Sequence, residues 1–298
     1  MPSIEIDQAR VAYHEVGQGE PVVLLHASAS TSGQWRRLGT RLQDRYHVVA
    51  PDLYGYGDSD VWVGRGPLSL AEQARIVTRL IDLCGDDVHL VGHSYGGAVA
   101  LRAALDNRHR LRSLTLIEPV AFHLLKQRGR REHGLFGEIA SIAATINEAT
   151  VSGDYWGGMA RFIDYWCGAG TWEGLSAARR QVLARCTARV LLDFWTTMTE
   201  RTPADAYRVL SAPTLVLYGD ESPATARRTA ELVAEAIPEA DLAMVAGAGH
   251  MLPLTHRDFI NDLIRGHLEA AIAAETPASA PAPFEFATGF QFLGGHRL

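Results

Sequence analysis

The chain has 298 residues, 47% of them hydrophobic and 21% charged, with a net charge of −6 at pH 7. That is enough apolar content for one large α/β domain with an inserted subdomain, and too ordinary a mixture for a disordered or fibrous protein. The acidic balance supplies no basic stripe, which argues against nucleic acid as a partner, and three widely spaced cysteines (Cys84, Cys167, Cys186) match neither a disulfide framework nor a zinc site.

The N-terminal residues Met1 to Arg10 lack the apolar core of a secretion signal, and no uninterrupted apolar run approaches the roughly 18 residues that would span a bilayer. The expected location is therefore cytoplasmic, without membrane insertion. Ile4 to Ile6 and Val11 to Glu15 read as an antiparallel edge pair, followed by a turn at Gly17-Gln-Gly19. Short apolar runs then alternate with amphipathic stretches: Val22 to Leu25, Val48 to Ala50, Val88 to Val91, Leu114 to Ile117 and Leu215 to Tyr218. Such alternation predicts βαβ units and a doubly wound sheet. From residue 121 to 208 the pattern is helical and rich in aromatics, with no convincing strand, which predicts a helical insertion between two strands. Core sequence resumes over 209–274. Beyond it a Pro/Ala linker leads to a tail in which Phe284, Phe286, Phe290 and Phe292 recur at even spacing, which reads either as a β-like segment docking on the chain's own body or on a partner, or as a frayed end.

The chemistry concentrates at Val88-His-Leu-Val-Gly-His-Ser-Tyr-Gly-Gly-Ala98, a β-branched run that breaks into Gly-x-Ser-x-Gly and then into helix-forming sequence. Glycines at 92 and 96 remove Cβ atoms where the chain reverses sharply, so Ser94 is presented at a helix N-terminus. There the backbone N–H of Tyr95 and the positive end of the helix dipole favour an oxyanion. A serine hydroxyl needs a base, and the best-placed one is His250, framed by small residues in Val245-Ala-Gly-Ala-Gly-His250 after a strand over Leu242 to Val245. His26 and His93 read as loop-shaping groups.

These motifs together resemble the α/β-hydrolase fold superfamily, over residues 3 to 274. The resemblance implies a mostly parallel eight-stranded sheet with a helical cap inserted after the sixth strand: core over 1–120 and 209–274, cap over 121–208. Leu24-Leu-His-Ala-Ser28 is similar to the family's oxyanion loop, with Ala27 in place of the usual glycine, which implies the N–H of Ser28 as second oxyanion donor. Pro51-Asp-Leu-Tyr-Gly-Tyr-Gly-Asp-Ser59 resembles a structural loop of the family. The acid departs from the common pattern: the usual Asp position, in Gly219-Asp-Glu-Ser-Pro223, is Ser222. Some relatives carry the acid at the end of the preceding strand, where this chain has Leu114-Thr-Leu-Ile-Glu118, and Glu118 is the first choice because a carboxylate after an apolar run needs a partner. Asp220 or Glu221 is the alternative, reachable by a one-residue shift of the loop.

The resemblance implies a serine hydrolase that cleaves a carboxylic ester or lactone of a small to medium apolar or aromatic substrate through an acyl-enzyme, with no cofactor and no metal. A nucleophilic Ser excludes the aspartate-based mechanisms of the dehalogenase and epoxide hydrolase relatives. The same residues also suit carbon–carbon bond hydrolysis, perhydrolysis, lyase chemistry or a slow-turnover receptor. Among the aromatics of the insertion, Trp156, Trp166 and Trp195 are the expected substrate-facing side chains.

Overall fold

The computed structural model describes residues 1–275 and 290–292. Its strands are β1 (Ser3–Ile6), β2 (Ala9–Val16), β3 (Glu20–Leu25), β4 (Tyr46–Pro51), β5 (Val88–His93), β6 (Leu111–Ile117), β7 (Thr214–Gly219), β8 (Asp241–Val245) and β9 (Phe290–Phe292). They form one sheet in the order β1-β2-β4-β3-β5-β6-β7-β8-β9. The six strands from β4 to β8 in that order pair in parallel, while β1 with β2, β2 with β4 and β8 with β9 are antiparallel. Eight strands lie where the sequence places them. The ninth is a three-residue piece of the phenylalanine tail added to the edge of β8. Phe284, Phe286 and the linker over 276–283 lie outside the described residues.

Strand period explains why both sheet faces are covered. Val22 and Leu24 join one apolar cluster, with Leu38 and Leu42 of α1 (Arg36–Leu42) and Ile260, Ile264 and Leu268 of α11 (Arg257–Glu275). Val23 and Leu25 join the other, with α2 (Leu70–Cys84) and α3 (Tyr95–Asp106). The α2 helix starts at an N-cap in which the Ser69 hydroxyl accepts from the N–H of Glu72, and it buries Ile76, Val77, Leu80 and Ile81 along one stripe.

Between β6 and β7 the described chain is helical: α4 (Arg130–Val151), α5 (Tyr155–Cys167), α6 (Thr171–Gly174), α7 (Ala177–Ala184) and α8 (Thr187–Thr199), flanked by 3-10 turns at Phe122–Gln127 and Ala204–Val209. The α9 helix (Ala224–Ala236) follows β7, and the short α10 (Leu252–Thr255) precedes α11. Among the described residues no helix is long and apolar enough to cross a membrane.

Candidate active site

Three adjacent parallel strands and the loop after β8 bring the sequence-predicted residues to one end of the sheet. Ser94 follows β5 at φ 54 and ψ −114, a conformation that L residues rarely adopt. The turn is crowded: a Cβ at Gly92 would lie 2.3 Å from the carbonyl oxygen of Gly96, and one at Gly96 would lie 2.4 Å from that of Leu25. Strand, turn and helix can meet this closely only with glycine at both positions, and the strain of order 1–3 kcal/mol at Ser94 is held by the surrounding packing.

Ser94 Oγ lies 2.9 Å from His250 Nε2, and His250 Nδ1 lies 2.5 Å from Glu118 Oε2. A carboxylate only accepts, so Nδ1 carries the hydrogen and Nε2 is left to accept from the serine hydroxyl. Glu118 is fully buried at the end of β6, itself at φ 44. A buried carboxylate is tolerated when its lone pairs are filled, and Glu118 Oε1 accepts from the N–H of Gly219 at 2.7 Å and from the hydroxyl of Ser222. The serine at the family's usual acid position thus serves as a donor to the carboxylate that has moved. Neither alternative acid reaches the imidazole. Asp220 Oδ1 accepts from the N–H of Gly247 at 2.7 Å, tying down the loop that carries His250, and Glu221 is exposed.

Ser28, Ser94 and Tyr95 line one small cavity. Among the described residues, no acceptor is paired with the backbone N–H of Ser28 or of Tyr95, the first residue of α3. The residues read as loop-shaping do shape loops. His26 takes the N–H of Leu53 on Nε2 at 3.0 Å, and Asp52 accepts from the N–H groups of Ser32 and Asp58. His93 donates from Nε2 to the backbone carbonyl of His250 at 2.9 Å, and its bare Nδ1 takes the Gln34 amide at 3.1 Å. Gln34 Oε1 in turn accepts from the N–H of Ala27. Burial holds the His93 imidazole down at about 3, so this chain from the Ser28 loop to His250 is uncharged.

Of the three tryptophans, Trp166 alone joins the site: its ring centroid is 4.2 Å from that of His250, and it is 5% exposed. Trp156 and Trp195 are 44% and 55% exposed and line neither cavity at Ser94. This corrects the expectation drawn from their helical context. Trp156 instead packs edge-on to Trp172, beside the Arg180 guanidinium.

One group at the site was not foreseen. Asp193 of α8 is buried above the Ser28 loop, where its Oδ2 accepts from the hydroxyls of Ser28 and Tyr56, both at 2.6 Å, and its Oδ1 lies 3.0 Å from Arg189 Nη2. Burial raises the Asp193 carboxyl against the opposing pull of Arg189. The Tyr95 hydroxyl beside it is pushed up to about 12, chiefly by burial. An i,i+4 Arg–Asp pair was the only trace in the sequence, and such pairs are ordinary on solvated helix faces.

Two cavities meet at Ser94. One, of about 20 Å³, lies toward α3 and α8 and is lined by Tyr95, Val120, Phe122, Phe194 and Asp193 among others. The second, of about 170 Å³, is lined by His250, Trp166, Leu175, Leu183, Met251 and Leu254 among others. A third hollow, of about 460 Å³ behind Trp166, touches His250 but not Ser94.

A family model described as the alpha/beta hydrolase fold matches residues 20–257. A 2-hydroxy-6-oxo-6-phenylhexa-2,4-dienoate hydrolase from Comamonas testosteroni is 37% identical over 114 residues, which are 37% of this chain and 40% of that protein. The curated relatives at 37–38% identity are matched over only 32–40% of their own length. A candidate carbamate hydrolase from Azorhizobium caulinodans is 26% identical over 278 residues, covering 89% of this chain and 97% of the relative. The solved structure of a thermophilic esterase from Thermogutta terrifontis superposes with a TM-score of 0.68 at 25% identity, over 88% of this chain and 94% of that one.

Proposed function

Since the chain belongs to the α/β-hydrolase fold family, we propose that it is a serine hydrolase that cleaves a carboxylic ester or lactone through an acyl-enzyme. The observation that carries this reading is the unbroken line from Ser94 Oγ to His250 Nε2, and from His250 Nδ1 to Glu118. In the first half-reaction Ser94 Oγ bonds to the carbonyl carbon while His250 Nε2 takes the hydroxyl proton, and Glu118 stabilises the imidazolium and holds its orientation. The carbonyl oxygen becomes an oxyanion between the N–H groups of Ser28 and Tyr95 at the α3 terminus. Collapse breaks the bond to the alkoxy oxygen, which receives the proton from His250. A water molecule then repeats the sequence on the acyl-serine and releases the acid.

In this reading α4 to α8 act as a cap, with Trp166 forming one wall beside the general base. The test is multiple-turnover hydrolysis of p-nitrophenyl acetate by the wild type and by Ser94→Ala. Loss of the nucleophile is expected to lower kcat by about 10⁶-fold. Equal rates in the two proteins would remove Ser94 from the reaction. Absence of turnover on any ester or lactone, with Ser94 still labelled by a fluorophosphonate, would reject ester cleavage while keeping an activated serine.

A further inference from the structure

The two cavities at Ser94 differ in size and in their relation to His250, and that asymmetry assigns the halves of a substrate. In acyl transfer the group that protonates the leaving oxygen must stand on the leaving-group side, within hydrogen-bond reach. His250 lines the cavity of about 170 Å³ together with Ser94. The cavity of about 20 Å³ contains Ser94 and Tyr95 but not His250. With the carbonyl oxygen directed at the backbone N–H groups and the leaving group toward His250, the acyl substituent is assigned to the smaller cavity. A volume near 20 Å³ admits about one water-sized group.

Resting on the serine-hydrolase reading above, we propose that the substrate is an ester of a very short acid, formyl or acetyl in size, whose alcohol portion is larger and mostly apolar. The walls of the small cavity are held from both sides. Phe122 stacks on Trp166 and on Phe194 at centroid distances of 6.2 and 6.3 Å, and Phe162 packs edge-on to Phe194 at 6.1 Å. Asp193 fastens α8 to the core through Ser28 and Tyr56, and Arg189 sits over the Tyr56 ring at 5.2 Å. To widen the cavity, α8 must break hydrogen bonds to a buried carboxylate, so added methylenes meet a wall that does not yield. The larger cavity shares Ser28, Phe162 and Trp166 with the small one, but its far wall is formed by side chains such as Leu175, Leu183, Met251 and Leu254.

Two ester series decide the matter. With p-nitrophenol as the constant leaving group, kcat/KM is expected to fall about tenfold or more from acetate to butyrate and further to octanoate. With acetate as the constant acid, kcat/KM is expected to hold or rise as the alcohol grows from methyl to 1-naphthyl. Phe194→Ala is expected to raise the butyrate-to-acetate ratio about tenfold, and Val120→Ala does the same more mildly if the larger truncation does not fold. Ser94-dependent turnover that favours octanoate over acetate would overturn this assignment and leave the serine-hydrolase reading intact. Absence of Ser94-dependent turnover in both series would overturn this assignment, and absence of lactone turnover as well would overturn the two together.

Discussion

The ends of β6 and β7 lie side by side, with Ile117 level with Leu217 and the N–H of Glu118 bonded to the carbonyl of Leu217, yet they do opposite jobs. β6 ends in a buried carboxylate on a left-handed residue, whereas β7 ends in a glycine N–H and a serine hydroxyl that both donate to that carboxylate. His250 needs one acceptor at Nδ1, and the β6 end supplies it through Glu118 Oε2. Once one end provides the charge, the other must provide donors, because a buried carboxylate with unfilled lone pairs is strongly destabilising.

Removing the charge tests this division of labour most severely. Glu118→Gln keeps the shape and loses the electrostatic support of the imidazolium, so kcat is expected to drop about 10⁴-fold; a drop under tenfold in steady-state assays would break the assignment of the acid. Exchanging the roles sharpens the comparison. Adding Ser222→Asp to Glu118→Gln moves the carboxylate to β7 and is expected to recover about tenfold or more of the lost rate, whereas no recovery would mean that only the β6 end can reach Nδ1.

A slower test concerns the ground beneath both strand ends. Burial holds His93 and His89 at about 3 and His26 and His123 at about 4, well below the usual histidine value. These groups stay neutral in the fold while the unfolded chain takes up protons below about pH 6.5. Stability is therefore complete above that pH and declines as pH falls toward 4, by up to about 1.4 kcal/mol per pH unit for each histidine. Urea midpoints that do not move between pH 7 and pH 5 would contradict this. The smallest effect is expected at the rejected acid position: Asp220→Ala loses the bond to the Gly247 N–H, worth about 1 kcal/mol. Its kcat should stay far above that of Glu118→Gln, as thermal unfolding and activity measured side by side would reveal.

Much of the fold was legible because parallel strands buried on both faces read as short apolar runs, and each run from Val22 to Tyr218 lies in an observed strand. Ser94 and His250 were legible for a related reason. Ser94 sits on a turn whose glycines at 92 and 96 cannot be replaced without collision, and His250 follows a loop in which Gly247 takes φ 68, so each is marked by glycines within a few residues of it. Glu118 was legible through the resemblance, which places the acid of some relatives at the end of the preceding strand, and through the apolar run before it, while Asp220 and Glu221 stayed open because a one-residue shift of their loop could not be judged from sequence. The tryptophans were not separable, because three indoles in amphipathic helices look alike until the helices pack. Packing turns Trp166 onto His250 and leaves Trp156 and Trp195 about half exposed, away from Ser94.

The alternation of strands and helices, the serine on its glycine-flanked turn and the histidine in its small-residue loop could all be read from residues close together along the chain. Tertiary structure alone decided which carboxylate meets the imidazole, that Asp193 closes over Ser28 from 165 residues away, and how the space on either side of Ser94 is divided. Those outcomes depend on distances between segments far apart in sequence, which the side-by-side pairing of β6, β7 and β8 and the docking of the helical segment onto the sheet establish.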